Sequence, residues 1–397
     1  MKIWTSKTET AAVKKIAADD MMLTKDMPTA AGSKMLDGYL SLLEAEALTR
    51  LKNAGYGICG KANVGEFAVD LMGETSCYGV PSADGVLKNA AAEIVQSGEA
   101  MAAVGLDVNG SIRRAAAQYG LVSVKPTYGT VSRYGTVPVA CSGETVSVTA
   151  KNIADCREIL DVLAGHDDKD GTSLSEAECE KIRQSAGCGE TVRRVAVISE
   201  FTEGVDAKTA ECLNAAKKAL SENGIEVAEI SEKTIAAARI AWNILMSAEL
   251  CNNVSRYDGV KYGYRSADAN TIDELYTNSR TEAFGDLLKT AILYGSDTLS
   301  TENYMKVYDK ALRVRRLVSE SFGKLFEQYD AVLMPACSKS AYSEDITASE
   351  RDIAFTENLY TAPASITGLP TVTAGGVQLI GKAFSENALF EAAKLYE

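Results

Sequence analysis

The strongest constraint on the fold lies in residues 106–135, where Asn109, Gly110 and Ser111 stand at the predicted start of a helix. Asparagine and glycine tolerate left-handed backbone better than other residues, which predicts a tight turn before the serine. A serine at this place has two interpretations. It is a nucleophile presented by the turn, or it is the N-cap of the helix that follows.

Residues 106–135 resemble the amidase signature family, and within it the A subunits of the glutamyl-tRNA(Gln) and aspartyl-tRNA(Asn) amidotransferases. The resemblance implies a single α/β domain over residues 1–397, an α/β/α sandwich around a large, mixed, twisted sheet. It also implies that the helical leader that precedes the first core strand in the family is missing. Nearly the whole chain is covered, because similar stretches recur at residues 29–36, 256–265, 368–370 and 378–382.

Composition narrows the classes of partner. The net charge is −13 and there is no run of basic residues, which argues against direct binding to nucleic acid or to an anionic membrane. Nine cysteines without a CxxC pair, and a single histidine, His166, argue against a zinc site and indicate reduced thiols. No apolar stretch is long enough for a membrane span or a signal peptide. We therefore expect a cytoplasmic protein with no metal and no other cofactor.

Hydrophobic periodicity predicts the order of the main elements. A strand, a helix and a second strand between residues 192 and 230 predict a parallel pair of strands joined by a helix. A polar stretch at residues 165–188 predicts an exposed, mobile loop. The other predicted elements are strands at residues 16–22, 55–61 and 331–335 and helices at residues 34–51 and 302–329.

The resemblance also implies which residues would carry catalysis. In the family a lysine is the ultimate base, a serine in a cis peptide relays the proton, and a second serine attacks the substrate. Ser111 matches the nucleophile, but Asn109-Gly110 replaces the Gly-Gly pair whose N–H groups help to form an oxyanion hole. The lysine position is occupied by Asp19. An aspartate with a pKa near 4 is a poor base for a serine unless burial raises that pKa strongly.

The middle serine has no counterpart. Its position falls at Leu87 or Lys88, where the Gly/Ser-rich run of the family is almost entirely replaced. A cis peptide costs about 2.5–4 kcal/mol at a non-proline residue, so we expect the Leu87 peptide to be trans. Two lysines close to Asp19 in sequence, Lys25 and Lys34, are the available substitutes for the missing base.

The expected ligands for glutamine are replaced too. The arginine position that would bind the substrate carboxylate falls in a run containing Ala291, and the acidic position that would bind its amino group falls on Asn358. An alanine cannot make the bidentate guanidinium–carboxylate pair. His166 lies in a polar loop and is interpreted as solvated rather than as a base. The adjacent carboxylates Asp19 and Asp20 are interpreted as solvated or as a turn.

These losses together predict a catalytically impaired member of the family that works by binding. It would be a scaffold or regulatory component, as a homo-oligomer or with amidotransferase-type subunits, with a contact near residues 1–18 or 302–329. One alternative is an active amidase that uses Ser111 with Asp19, Lys25 or Lys34 as base. The other is a sensor that holds a small molecule in the old acyl pocket.

Overall fold

The computed structural model describes residues 2–185 and 191–397. Within these residues thirteen strands form, and eleven of them join in one mixed sheet. The strands are β1 (Trp4–Lys7), β2 (Lys15–Asp19), β3 (Gly57–Ala62), β4 (Ser82–Ala83), β5 (Val86–Leu87), β6 (Ala102–Asp107), β7 (Val122–Lys125), β8 (Thr145–Ala150), β9 (Arg194–Ile198), β10 (Glu226–Ile230), β11 (Ala331–Pro335), β12 (Thr371–Ala374) and β13 (Val377–Gly381).

The helices surround this sheet, and short 3-10 or π-helical turns, such as Lys34–Leu36 and Tyr304–Tyr308, join some of them. In the described part of the chain the α-helices are α1 (Glu46–Asn53), α2 (Ala90–Ser97), α3 (Ser111–Tyr119), α4 (Ile153–Leu163), α5 (Glu176–Ser185), α6 (Ala207–Glu222), α7 (Lys233–Ala236), α8 (Ala238–Asn253), α9 (Ile272–Ala283), α10 (Asp286–Thr298), α11 (Asp309–Leu325), α12 (Ile346–Ser349), α13 (Ile353–Thr356), α14 (Asn358–Thr367) and α15 (Glu386–Ala393).

The strand order of the large sheet is β1-β3-β2-β6-β8-β7-β12-β13-β11-β9-β10. Strands β3, β2 and β6 are parallel neighbours, and so are β11, β9 and β10, while the pairs between these two groups are antiparallel. Because β2 and β6 are parallel and adjacent, their carboxyl ends meet at the same edge of the sheet. Asp19 ends the first of these strands and Asp107 ends the second.

Both faces of the sheet are covered. Along β2, Ile16 and Ala18 belong to one apolar cluster while Ala17, between them, belongs to another, as expected when successive side chains point to opposite faces. Helices α1, α4 and α15 pack with the first cluster, and α2 and α3 with the second. The predicted α/β/α sandwich around a large mixed sheet is therefore confirmed.

Several element predictions need correction. Residues 34–51 do not form one helix: the 3-10 turn Lys34–Leu36 ends at Asp37, Gly38 takes a left-handed φ of 75°, and α1 begins only at Glu46. The helical spacing of apolar residues gave a wrong prediction here because Leu40 is 58% exposed and does not belong to the hydrophobic core. Residues 302–329 contain a π-helical turn before α11.

The prediction of a loop at residues 165–188 was wrong for the span of α5, and residues 186–188 lie outside the described residues. The parallel strand–helix–strand unit between residues 192 and 230 was correct, since β9 and β10 pair in parallel.

Candidate functional site

Ser111 stands where β6 turns into α3. The residue before it, Gly110, has a left-handed φ of 86°, and a Cβ there would lie 2.3 Å from Cγ2 of Thr361. Glycine is therefore required both for its backbone conformation and for the close approach of α14. The predicted N-cap role of Ser111 was wrong: Gly110 is the N-cap and supplies no side chain, and Ser111 is the first residue of the helix.

The Ser111 hydroxyl is not hydrogen-bonded to a base in the part of the chain that the structure describes. Its side chain is half-buried and makes no hydrogen bond to any other residue that the structure describes. A serine hydroxyl is a weak nucleophile unless an adjacent group takes its proton. The turn therefore places Ser111 at the start of α3 with no hydrogen-bonded side-chain partner among the described residues.

Asp19, at the family lysine position, is used to join two strands. Its Oδ1 accepts a hydrogen bond from Met21 N–H at 3.0 Å, and its Oδ2 accepts one from Leu106 N–H at 2.7 Å. Burial raises the pKa of Asp19 to about 7, against the lowering effect of these two N–H groups. The carboxylate thus connects the carboxyl ends of β2 and β6, and neither oxygen is hydrogen-bonded to Ser111.

The two lysines considered as substitutes lie at the surface. Lys25 and Lys34 are both exposed, and the ammonium of Lys34 lies 4.0 Å from the ring centroid of Tyr264. Neither side chain hydrogen-bonds Ser111 in the described structure.

Sequence reasoning missed a buried ion pair next to Asp19. The Lys61 Nζ lies 3.0 Å from Oδ1 of Asp20, and both side chains are almost fully buried. Lys61 also donates to Thr29 Oγ1 at 2.5 Å. Desolvation raises the pKa of Asp20 and lowers the pKa of Lys61, while the attraction between them acts in the opposite sense. The solvated interpretation of Asp19 and Asp20 was therefore wrong, and the signal that could have found the pair is a lysine inside the apolar strand β3.

A second buried ion pair anchors the first turns of α3. Arg113 donates to Asp107 through Nε at 3.0 Å and Nη2 at 2.9 Å, and its Nη1 donates to the Thr361 carbonyl at 2.9 Å. Burial raises the pKa of Asp107, but the Arg113 guanidinium outweighs it and holds that pKa below its usual value. This bidentate pair fixes the helix that carries Ser111 against both β6 and α14.

Leu87 fills the middle-serine position with an apolar side chain. It lies on β5, is only 1% exposed, and packs in the same apolar cluster as Met72 and Tyr342. Its backbone N–H donates to the Tyr342 carbonyl at 2.9 Å. The peptide is trans, as predicted, since no cis bond occurs in the described residues. The Leu87 side chain itself carries no hydroxyl that could relay a proton.

Asn109 is buried, and its side-chain amide links two segments. Its Nδ2 donates to the Val69 carbonyl at 2.8 Å and to the Ala354 carbonyl at 3.2 Å, while its Oδ1 has no partner among the described residues. The backbone of Asn109 is not left-handed, so the turn needs only one residue in that conformation, Gly110. The amide therefore occupies space beside the turn and ties the loop after β3 to α13.

The two residues at the expected glutamine-binding positions also lie in the interior. Ala291 is fully buried on α10, which packs against α8. Asn358 begins α14, and its Nδ2 donates to Oδ1 of Asn243, on α8, at 2.6 Å. The acid beside it, Glu357, accepts hydrogen bonds from Ser338 N–H and from Tyr342 Oη. Neither position offers a charge to a ligand.

These positions are only partly brought together. Thr361 on α14 contacts Gly110 and donates to the Asn109 carbonyl at 3.3 Å, which joins the Ser111 turn to the helix that starts at Asn358. Four cavities of the described structure, the largest of about 600 Å³, contain no residue of the proposed catalytic or glutamine positions in their lining. Leu87 and Asn109 are both buried.

His166 lies away from this region. Its Nε2 is 2.9 Å from Oδ1 of Asp168 and its Nδ1 is 2.8 Å from the Leu174 carbonyl. The hydrogen bond with Asp168 raises the pKa of His166.

In the described chain no group of three or more His, Cys, Asp or Glu side chains could hold a metal ion, and no helix there is long and apolar enough to cross a membrane.

Comparisons with known proteins place these observations in a family. The family model described as Amidase matches residues 16–390. The A subunit of the glutamyl-tRNA(Gln) amidotransferase of Lachnoclostridium phytofermentans is 35% identical over 96% of this chain and 82% of its own length. Its counterpart of the same name from Latilactobacillus sakei subsp. sakei is 34% identical over the same shares. The crystal structure of the corresponding protein from Thermotoga maritima superposes with a TM-score of 0.80, at 26% identity, over 99% of this chain and 86% of that one.

Proposed function

Because this chain belongs to the amidase family, we propose that it is a catalytically impaired member that acts by binding, as a scaffold or regulatory component. The observation that carries the proposal is the state of Ser111 and Asp19. The serine hydroxyl has no hydrogen-bonded base in the described structure, and the carboxylate at the lysine position is held by backbone N–H groups of Met21 and Leu106. A hydroxyl without a base loses most of its nucleophilic advantage.

The other altered positions support the same proposal. A proton relay through Leu87 has no hydroxyl to use, and an oxyanion hole beside Asn109 would compete with a buried amide side chain. Ala291 and Asn358 supply no charge for a free amino acid substrate. Four separate segments would have to change before glutamine could be bound and cleaved in the manner that the resemblance implies.

Partners of amidotransferase type are part of the proposal. The two sequence relatives described above are named as subunits, which indicates that they belong to larger assemblies. The described surface carries exposed apolar side chains on the segment in which we predicted a contact, including Met305 at 63% and Leu317 at 52% exposure. We propose this surface and the segment around Val13 as sites for a second copy or for B- or C-type subunits. The eight cysteines of the described residues are free thiols, which supports a cytoplasmic location.

The test of impaired catalysis uses the purified chain and its Ser111→Ala variant. We expect neither protein to release ammonia from glutamine or asparagine, and we expect no Ser111-dependent labelling by a serine-directed fluorophosphonate. Stoichiometric labelling that disappears in Ser111→Ala would contradict the proposal. An active relative from the same family serves as the positive control for both assays.

One observation favours the active amidase as a second candidate. Burial raises the pKa of Asp19 to about 7, near the value at which a general base works best at neutral pH. Under this alternative Asp19→Asn would abolish fluorophosphonate labelling, whereas under our proposal there is no labelling to abolish. The third possibility, a sensor in the old acyl pocket, predicts saturable binding that is lost when Asn109 is enlarged.

A further inference from the structure

A cavity of about 360 Å³ lies at the end of α14 that is remote from Ser111. The helix α14 has ten residues, so the cavity is roughly 15 Å from Asn358 at its start. The lining includes Phe322, Phe326 and Leu369, with no residue of the catalytic or glutamine positions. The volume falls in the range of small-molecule sites, about 300–1,000 Å³. A ligand here would be independent of the function proposed above.

The floor of this cavity is aromatic and preformed. The rings of Phe322 and Phe326 lie 5.7 Å apart between centroids, and the two side chains are 1% and 8% exposed. Leu369 completes the apolar part of the lining. Phe322 is covered by its neighbours and holds Phe326 in place, so an apolar group would contact the accessible edge of Phe326 and the half-buried Leu369 without ordering a new surface.

The opening of the cavity depends on a glycine inside a helix. Gly323 lies in α11, where glycine costs about 0.8–1 kcal/mol relative to alanine. Packing does not require it, since a Cβ at Gly323 would meet no atom within 4 Å. The same glycine lines the cavity, so any larger side chain would project into the space beside the two phenylalanines.

Two opposite charges stand in the lining without neutralising each other. Lys382 and Glu327 both border the cavity, and in the described chain neither side chain takes part in an ion pair or hydrogen bond. The helix ends reinforce this separation. Helices α11 and α14 both end at the cavity, and the carbonyl groups at a helix end favour a cation. Helix α15 begins at Glu386, four residues after Lys382, and the N–H groups at a helix start favour an anion.

From this arrangement we propose that the cavity binds a free α-amino acid with an apolar side chain. Its side chain would lie against Phe326 and Leu369, its carboxylate beside Lys382, and its ammonium beside Glu327. Lys382 borders a second cavity, of about 330 Å³, together with Ser385, the N-cap of α15, so the carboxylate end has polar surroundings. An α-amino acid offers an opposite charge to each of these two exposed side chains, which a purely apolar or singly charged ligand does not.

The test is isothermal titration calorimetry at neutral pH with L-phenylalanine, L-leucine, 3-phenylpropanoate, which lacks the amino group, and phenethylamine, which lacks the carboxylate. We expect saturable binding of at least one of the two amino acids. We expect both singly charged analogues to bind at least about tenfold more weakly than L-phenylalanine, since each loses one charge-assisted contact. Absence of saturable binding of either amino acid up to about 10 mM would overturn the proposal. Equal affinity of 3-phenylpropanoate and L-phenylalanine would also overturn the proposal.

Variants assign the binding to this cavity. Gly323→Leu should abolish binding while keeping the fold, because leucine is a better helix former than glycine. Lys382→Gln should weaken L-phenylalanine about tenfold and leave phenethylamine unchanged, and Glu327→Gln should weaken L-phenylalanine similarly and leave 3-phenylpropanoate unchanged. Lys324→Gln is the matched control, since this exposed lysine lies next to Gly323 on α11 but does not line the cavity. Binding that survives Gly323→Leu would refute the assignment, whatever the activity of Ser111.

Discussion

The buried carboxyl group of Asp19 predicts how the stability of the fold depends on pH. Burial raises its pKa from 3.8 to about 7, so between these two values the folded chain holds a proton that the unfolded chain has released. The free energy of unfolding should therefore fall as pH rises through this window and level off above about pH 7. At about 1.4 kcal/mol per pKa unit, the full loss is about 4 kcal/mol.

The measurable part of this loss lies between about pH 5.5 and pH 8. Over that interval Asp19 should account for about 2 kcal/mol of the fall in the free energy of unfolding, determined by urea denaturation. In Asp19→Asn this contribution disappears. The variant is also destabilised by a constant amount of about 1–3 kcal/mol, because its amide NH₂ would face a backbone N–H that Asp19 now accepts from. The readout is therefore the change in slope with pH, and the offset between the curves is not used.

Asp26→Asn provides the matched control, because Asp26 is an exposed acid a few residues further along the same segment. Its curve should run parallel to that of the native chain. If Asp19→Asn also ran parallel to the native chain, Asp19 would be ionised throughout this pH range. The reasoning from burial would then be refuted, and Asp19 would be too weak a base for the active amidase alternative.

Three further substitutions test the site by urea or thermal denaturation. Gly110→Ala should cost about 1–3 kcal/mol more than Gly120→Ala, because both positions are left-handed but only the first would clash with a neighbouring side chain; equal costs would contradict this. Lys61→Met should destabilise by about 3–5 kcal/mol, since it leaves Asp20 buried without its cation, and a neutral result would mean that Asp20 is protonated. Leu87→Ser should cost about 2–5 kcal/mol and should not create fluorophosphonate labelling, whereas labelling would show that one hydroxyl is enough to restore activity.

The positions that the family resemblance assigns to catalysis could be located in the sequence because they depend on residue type at fixed spacing, and their loss of function stays a prediction. An aspartate cannot act as a lysine and a leucine carries no hydroxyl, whatever the surrounding structure. The fold class was equally accessible, since the family motifs extend over nearly the whole chain and residues 16–390 match the family model. The strand–helix–strand prediction between residues 192 and 230 was also correct, since β9 and β10 pair in parallel with α6 between them in sequence.

Two of the incorrect structural predictions share a different cause. The helix expected at residues 34–51 depended on Leu40 and Leu43, whose spacing is helical but which no distant element covers. The N-cap role of Ser111 failed because backbone geometry gave that position to Gly110. In both cases local sequence allowed two conformations, and packing from elsewhere selected one.

The order of residues was thus enough to predict the family, the mixed α/β architecture and the chemical groups present at each position that the resemblance assigns to catalysis. What those groups do was set by packing between distant segments. This packing gave Oδ2 of Asp19 to the Leu106 N–H group, buried the Asp20 carboxylate against Lys61, and placed the Asn109 amide between the Val69 and Ala354 carbonyls. The partners of these buried polar groups come from other strands and from residues up to 245 positions away. A buried polar group that lacks a partner loses its hydration without compensation, and no local pattern specifies which distant group will supply that partner.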